Sequence, residues 1–331
     1  MKNRIILLIT VLLISFNVSA QLDRSILPVG GPTPKIKLEK PKEFKLKNGI
    51  KVLVVEDHKL PRVSYSLRID GTPIVEGDKS GVLDILAGML GNGTTSIDKD
   101  VFNEEIDYLG ANVNIGFRSS FASSLTKHSE RILELMADAI INPLLTVEEF
   151  EKTKEQYIEG LKADEKSIDA ISERVGNALS YGKNHVYGEF VSEETLNNVS
   201  YEDVIEFHEK YTYPNNAYIV VIGDVNYKEV KKSISEKFSV WKKAKKTYQN
   251  TPALTSNVNL TEVNFIDLPS ATQSSIGVTN NVDLKMNNED YFIALITNNI
   301  LGGGGEGYLF KNLREDKGYT YGIGSGILSL K

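Results

Sequence analysis

Two pairs of landmarks, each 208 residues apart, constrain the fold of this chain more than any other feature of its sequence. Leu60-Pro61 lies between two strand-like runs and recurs as Leu268-Pro269, and Gly110, at the end of a predicted helix, recurs as Gly318. Equal offsets at separate landmarks indicate an internal repeat. The sequence therefore predicts a second domain that is a divergent copy of the first.

The repeat also sets the expected domain boundaries. We assign residues 41–241 to an N-terminal domain, residues 242–257 to a linker without apolar periodicity, and residues 258–331 to a C-terminal domain. At the same offset a full second copy would run to about residue 449, so we expect the C-terminal domain to be truncated.

The N-terminus predicts export. Lys2 and Arg4 precede an apolar run over residues 5–16, and Val18-Ser19-Ala20 is a small-residue cleavage signal. Residues 1–20 therefore read as a signal peptide cleaved after Ala20, followed by an extended lead-in over residues 21–40. The apolar run is shorter than the roughly 20 residues that a membrane-spanning helix needs. We expect a periplasmic or secreted protein with no stable membrane span.

Composition narrows the function. The chain has no cysteine, which excludes a disulfide framework, and its net charge of -6 argues against nucleic-acid binding, which needs a basic surface. Local patterns predict a hairpin at Asn48-Gly49, a helix over residues 129–141, and a long charged helix that starts at Thr146 and runs with one break to Tyr181. Mixed strands and helices of this kind indicate an α+β fold.

One helix is predicted between Gly81 and the closing loop Gly91-Asn92-Gly93. Its apolar positions are typical of a core helix: Val82, Leu83, Ile85, Leu86, Met89 and Leu90. Between them lie Asp84, Ala87 and Gly88. Glycine has no ligand atom and alanine has no base, so Asp84 alone is far short of the three protein ligands of a catalytic zinc.

This helix resembles the zinc helix of the M16 peptidase family, which includes pitrilysin, insulinase and the mitochondrial processing peptidase. The family pattern is roughly G-x-x-H-x-x-E-H-M followed by G-T, and here it reads Gly81-Val-Leu-Asp84-Ile-Leu-Ala87-Gly88-Met89 and then Gly93-Thr94. The resemblance implies two homologous α/β-sandwich domains of the LuxS/MPP-like metallohydrolase type, the second incomplete. It also implies that the two zinc histidines fall on Asp84 and Gly88 and the general base on Ala87, so all three are replaced.

Two further segments are compared with the family. The third zinc ligand of the family, a Glu, comes from the region after Thr146, and the acidic residues there are better explained as ordinary surface charge on a solvated helix face: Asp164, Glu165, Asp169 and Glu173. Residues 181–188 resemble the family loop Y-G-x-x-H-P-Y-G, with valine in place of proline. That loop is structural in the family, so His185 is interpreted as a hydrogen-bonded loop residue.

The most specific motif lies in residues 301–325. It resembles the second-domain signature of the family, L-G-G-G followed by L-F-x-x-L-R-E-x-x-G-x-x-Y-G. In the family the Arg and the last Tyr bind the substrate backbone or the carbonyl under attack, and they correspond to Arg314 and Tyr321. A guanidinium and a phenol can donate hydrogen bonds to a carbonyl that becomes anionic. A surface ion pair and a strand tyrosine explain the same residues equally simply.

The leading hypothesis is a non-catalytic, peptide-binding subunit of an exported M16-type zinc metallopeptidase. Arg314 and Tyr321 would form a substrate clamp for a partner subunit that carries H-x-x-E-H and the zinc, while this chain would bind no cofactor and have no catalytic residue. The substrate would be a peptide or unfolded polypeptide. Two alternatives stay open: a zinc metallopeptidase active alone with an atypical site, and a peptide-binding scaffold without a peptidase partner.

Overall fold

The structure is a computed structural model that describes residues 31–32, 40–244 and 257–328. The predicted signal peptide lies outside the described residues, as do most of the lead-in and most of the linker. The chain divides into residues 1–40 and Pro41–Lys331, and every helix and strand given below belongs to the second unit.

Six strands form one mixed sheet. They are β1 Lys42–Lys45, β2 Lys51–Glu56, β3 Arg62–Ile69, β4 Asn112–Ile115, β5 Ser119–Leu125 and β6 Ala217–Gly223. Their order across the sheet is β1-β2-β6-β3-β5-β4, and only the β2–β6 pair is parallel. Alternate residues of β3 from Val63 to Ile69 are buried, whereas Ser66 and Arg68 between them are exposed. The sheet therefore has one core-facing side.

The hairpin prediction is confirmed. β1 pairs with β2 in antiparallel register from Lys42 opposite Val54 to Lys45 opposite Lys51. Gly49 has a φ of 108°, which an L side chain rarely adopts, and a Cβ there would lie 2.9 Å from the carbonyl oxygen of Asn215. Glycine is required at this turn both for its backbone angle and for its close neighbour.

Nine α-helices lie among the described residues. They are α1 Val82–Met89, α2 Lys99–Tyr108, α3 Ser129–Ile141, α4 Val147–Asp164, α5 Ile168–Tyr181, α6 Glu193–Asn198, α7 Tyr201–Tyr211, α8 Tyr227–Phe238 and α9 Tyr291–Gly302. The predicted helix over residues 129–141 is observed with those bounds, and the long helix after Thr146 continues to Tyr181 with one break. The short helix α6 was not predicted.

Helix α1 lies at the centre of the helical layer. It packs against α4 and α7, while α3 packs against β5 and α8. The fully buried side chains of α1 are Ile85, Leu86 and Met89. Burial of such side chains contributes about 1.5–3 kcal/mol each to the free energy of unfolding, so the core fixes α1 in position.

The second copy has its first two helices in the same order as the first copy but lacks the corresponding strands within its described residues. Helix α9 and a π-helix, Phe310–Asp316, follow at the 208-residue offset from α1 and α2, and Gly110 and Gly318 have φ angles of 58° and 65° at matching helix ends. The expected strands beside Leu268 and after Gly318 are absent from residues 257–328. In the first copy β3 is held between β5 and β6, and a strand without such neighbours has no ladder partners.

In the part of the chain that the structure describes, no helix is both long and apolar enough to cross a lipid bilayer. Many apolar side chains are exposed in residues 258–328. They include Val263, Phe265 and Val278, which lie outside helices and strands, and Phe292 and Ile293 on α9.

Candidate functional site

The N-terminus of α1 is held by Glu76, whose own backbone N–H is bound by Glu189 from a distant part of the chain. Glu76 Oε2 accepts hydrogen bonds from the backbone N–H groups of Gly81 at 2.9 Å and Leu83 at 3.2 Å. The Glu189 carboxylate accepts from the N–H groups of Glu76 and Gly77 at 3.0–3.1 Å. The Glu76 bonds satisfy free N–H groups at the start of α1, where a carboxylate also interacts favourably with the helix dipole. The Glu189 bonds hold the turn that precedes the helix.

Burial perturbs the acids at this end of α1. The pKa of Glu76 is raised to about 7, mainly by burial; its hydrogen bonds to backbone N–H groups oppose this rise, and the nearby carboxylates of Asp84 and Glu189 add to it. Burial also raises the pKa of Asp84. Glu76 is therefore partly protonated near neutral pH, in a site that sequence reasoning missed because Glu189 is distant in the chain.

The three positions that replace the zinc motif lie on the face of α1 next to α4. Asp84 is half-buried, and Ala87 and Gly88 are exposed. A Cβ at Gly88 would lie 2.7 Å from Thr153 Cγ2 and 3.6 Å from Tyr157 Cε2. Helix α4 therefore occupies the space into which a side chain at position 88 would extend.

The donors on this face do not fit zinc. A catalytic zinc needs about three protein ligands, and among the described residues no three His, Cys, Asp or Glu side chains are grouped to hold a metal ion. Asp164 is the last residue of α4, Glu165 follows it, and Asp169 and Glu173 lie on α5. None of them completes a ligand set with Asp84.

His185 has the structural role that was predicted for it. Its side chain is 5% exposed, and its ring stacks on Tyr181 with centroids 5.5 Å apart and an interplanar angle of 16°. Its Nδ1 accepts a hydrogen bond from the N–H of Tyr187 at 3.2 Å. Residues 181–188 thus form a packed aromatic loop.

Arg314 and Tyr321 are both on the surface. Arg314 lies in the π-helix with its guanidinium 4.6 Å from the centroid of the Phe310 ring, and the Tyr321 side chain is 85% exposed. Neither lines the cavities found among the described residues. Their role as a substrate clamp stays a prediction.

The segment that carries Tyr321 is attached to the end of α9. The N–H of Ser325 donates to the carbonyl of Gly302 at 3.1 Å, and Asn298 Nδ2 donates to the carbonyl of Ser325 at 3.1 Å. A Cβ at Gly302 would lie 2.6 Å from the Ser325 backbone nitrogen. Gly302 therefore permits the close approach that places Ser325 beside the end of α9.

One edge of the sheet is formed by β4. Residues Asn112–Ile115 pair with β5 on one side, and no described strand pairs with the other side. Asn112 and Asn114 are exposed on this strand. An uncovered edge presents backbone N–H and C=O groups to which an extended peptide can add as a further strand.

A helix layer on a mixed sheet, with a buried helix at the place of a metallopeptidase zinc helix but without zinc ligands, defines the class: a metallopeptidase-like fold of the inactive type. Two family models match the chain, the insulinase model of peptidase family M16 over residues 51–188 and the peptidase M16 inactive domain over residues 198–331. The chain belongs to peptidase family M16.

Relatives with curated names include zinc proteases and an inactive form. The chain is 24% identical over 291 residues to the "Uncharacterized zinc protease YmxG" of Bacillus subtilis, covering 85% of this chain and 69% of that protein. It is 25% identical over 289 residues to an "Uncharacterized zinc protease" of Rickettsia felis, covering 85% and 68%. It is 24% identical over 216 residues to the "Probable inactive metalloprotease YmfF" of Bacillus subtilis, covering 61% and 48%.

Solved structures support the fold. A peptidase M16 inactive domain from Pseudomonas fluorescens superposes with a TM-score of 0.69 at 21% identity, covering 88% of this chain and 72% of that one. A protease from Helicobacter pylori superposes with a TM-score of 0.71 at 19% identity, covering 89% and 73%. The α+β fold predicted from the sequence is confirmed.

We expect the purified protein to contain no stoichiometric zinc. The triple variant Asp84→His, Ala87→Glu, Gly88→His should also remain without it, because Thr153 Cγ2 would lie 2.7 Å from the new Cβ and two histidines alone are short of the three protein ligands of a catalytic zinc. Elemental analysis after gel filtration measures both. About one zinc per unmodified chain, lost on Asp84→Ala, would contradict this expectation.

Proposed function

We propose that this protein is a non-catalytic, peptide-binding subunit of an M16-type zinc metallopeptidase and acts with a zinc-bearing partner subunit. The proposal rests on the packing of helix α1 and on the residues at its motif positions. The helix keeps its position and its packing, with Ile85, Leu86 and Met89 fully buried, while the positions of the ligands and the base hold Asp84, Ala87 and Gly88. The fold of a peptidase is retained, whereas the zinc ligands and the general base of the family motif are replaced.

The uncovered edge of β4 supports peptide binding. An extended peptide that pairs with Asn112–Ile115 gains backbone hydrogen bonds that do not depend on its sequence. Arg314 and Tyr321 would add hydrogen-bond donors to the bound backbone at the partner's zinc. The exposure of both side chains makes them accessible to a substrate held between two subunits.

A zinc peptidase that acts alone is disfavoured by the crowding of Gly88 against Thr153 and by the missing ligands. Export to the periplasm or medium, with cleavage after Ala20, is part of the proposal and rests on the sequence of the first twenty residues.

The test uses an M16 subunit with an intact H-x-x-E-H motif from the same organism, sought first among the neighbouring genes. The two proteins are expressed together, and the complex is isolated by gel filtration. Cleavage of a quenched peptide should require both chains, and replacing the Glu of the partner's motif with Gln should abolish it. This chain cleaving peptide by itself would overturn the proposal, and so would a partner that neither binds it nor gains activity from it.

A further inference from the structure

A cavity of about 390 Å³ opens beside the N-terminus of α1. Its walls come from the loop before α1, the turn between β4 and β5, and the loop after α5. Its volume is in the range of small-molecule sites, roughly 300–1,000 Å³. The cavity does not involve Arg314 or Tyr321, and it needs no partner subunit.

Arg118 supplies the cation of this cavity. Its Nη1 donates to the carbonyl of Thr72 at 2.8 Å, and its guanidinium lies 5.1 Å from the centroid of the Phe117 ring. Its Nε is buried and has no hydrogen-bond partner among the described residues. The buried Nε is out of reach of a ligand, so the donors that face the cavity are the N–H groups at the end of the guanidinium that do not bond Thr72, and such charged donors favour a carboxylate.

The same cavity also contains two acidic side chains. Glu76 and Glu189 both line it; Glu76 accepts backbone N–H groups at the start of α1, and Glu189 accepts those of Glu76 and Gly77. A carboxylate oxygen can accept more than one hydrogen bond, so both acids remain able to receive an ammonium group. The cavity therefore has one cation and two acids among its lining residues.

The remaining walls are mostly apolar. They include Ile74, Leu83, Phe117 and Phe190, with the Ser80 hydroxyl between them. Apolar walls with a few polar groups are typical of a site that buries an apolar body and orients its charged ends.

We propose that this cavity binds a short zwitterionic peptide with large apolar side chains, its terminal carboxylate on Arg118 and its ammonium group towards Glu76 and Glu189. The two charged ends of such a ligand complement Arg118 and the two acids, and its side chains pack against the apolar walls. A simple anion matches only Arg118 and would be repelled by the two acids, and a simple cation matches only the acids.

The test is isothermal titration calorimetry of the purified protein with the dipeptide Leu-Leu. Binding should weaken about 10- to 100-fold for Leu-Leu amide and for N-acetyl-Leu-Leu, because each loses one charge-assisted contact. Arg118→Met should weaken Leu-Leu binding by a similar factor. Arg62→Met is the matched control, since Arg62 is exposed at the far end of β3, and should leave affinity unchanged.

The same measurements can overturn the proposal. Absence of Leu-Leu binding, or affinity that is unaffected by amidation, by N-acetylation or by Arg118→Met, would do so. If Arg118→Met does not fold by circular dichroism, Ile74→Trp takes its place, because the larger ring should fill the cavity and remove binding. Failure here leaves the proposed function standing, because that function does not use this cavity.

Discussion

Arg314→Ala and Tyr321→Phe should each slow peptide cleavage by the assembled pair about 100- to 1,000-fold while leaving the pair assembled. In the proposed pair, each substitution would remove one hydrogen-bond donor from the carbonyl that becomes anionic during attack. The donors act where charge develops in the transition state, so the loss should appear in turnover more than in peptide affinity. Steady-state cleavage of a quenched peptide by the mixed subunits measures it.

The matched control is Lys311→Ala. Lys311 lies in the same π-helix and forms an ion pair with Glu306 at 2.6 Å, and both side chains are exposed. Exposed ion pairs contribute less than about 1 kcal/mol to stability, so this change should leave turnover intact. Unchanged rates for both Arg314→Ala and Tyr321→Phe would show that these residues are structural, and the scaffold alternative would then lead.

Two buried groups should give this protein opposing pH dependences of stability. The pKa of Glu76 is raised to about 7 by burial, so its contribution is fully favourable below the unfolded pKa of 4.5 and is lost as the pH rises to 7. The pKa of His208 is lowered by burial from 6.5 to about 4, so its contribution is present above 6.5 and is lost as the pH falls to 4. Each shift corresponds to roughly 3 kcal/mol in the free energy of unfolding.

Substitution should separate the two contributions. Relative to the unmodified protein, Glu76→Gln should become more stable by about 3 kcal/mol between pH 4.5 and 7, because its amide has no charge to bury. His208→Gln should become more stable by a similar amount on acidification from pH 6.5 to 4. Urea unfolding at several pH values measures both, with Glu151→Gln on the exposed face of α4 as control. Parallel stability curves for all four proteins would contradict the burial argument.

Local order in the first copy was readable from the sequence. Asn48-Gly49 predicted the β1–β2 hairpin, because the two residues of a tight turn select its geometry and so fix how the two strands pair. The bounds of α3 followed from its apolar period and from Asn142-Pro143 at its end. The loss of the zinc ligands was equally visible, since the chemistry of Asp84, Ala87 and Gly88 does not depend on their surroundings.

The strands of the second copy were the main error. Alternating residues beside Leu268 resemble the pattern of β3, but an extended segment becomes a strand only when neighbouring chains accept its hydrogen bonds. Sequence alternation reports which side chains would share a face and does not report whether a neighbour is present. Helix α9 and the π-helix Phe310–Asp316 form without neighbouring strands, because the backbone hydrogen bonds of a helix close within its own segment.

The sequence by itself determined the family, the α+β class and the absence of a zinc-binding motif, because these depend on residue types at short spacings. Only the tertiary structure decided that Glu76 binds the start of α1 and is itself bound by Glu189, that Thr153 fills the space beside Gly88, and that the Arg118 Nε is buried without a partner among the described residues. These features join residues far apart in the chain, and their energies come from burial and close contact, which exist only once the core has packed.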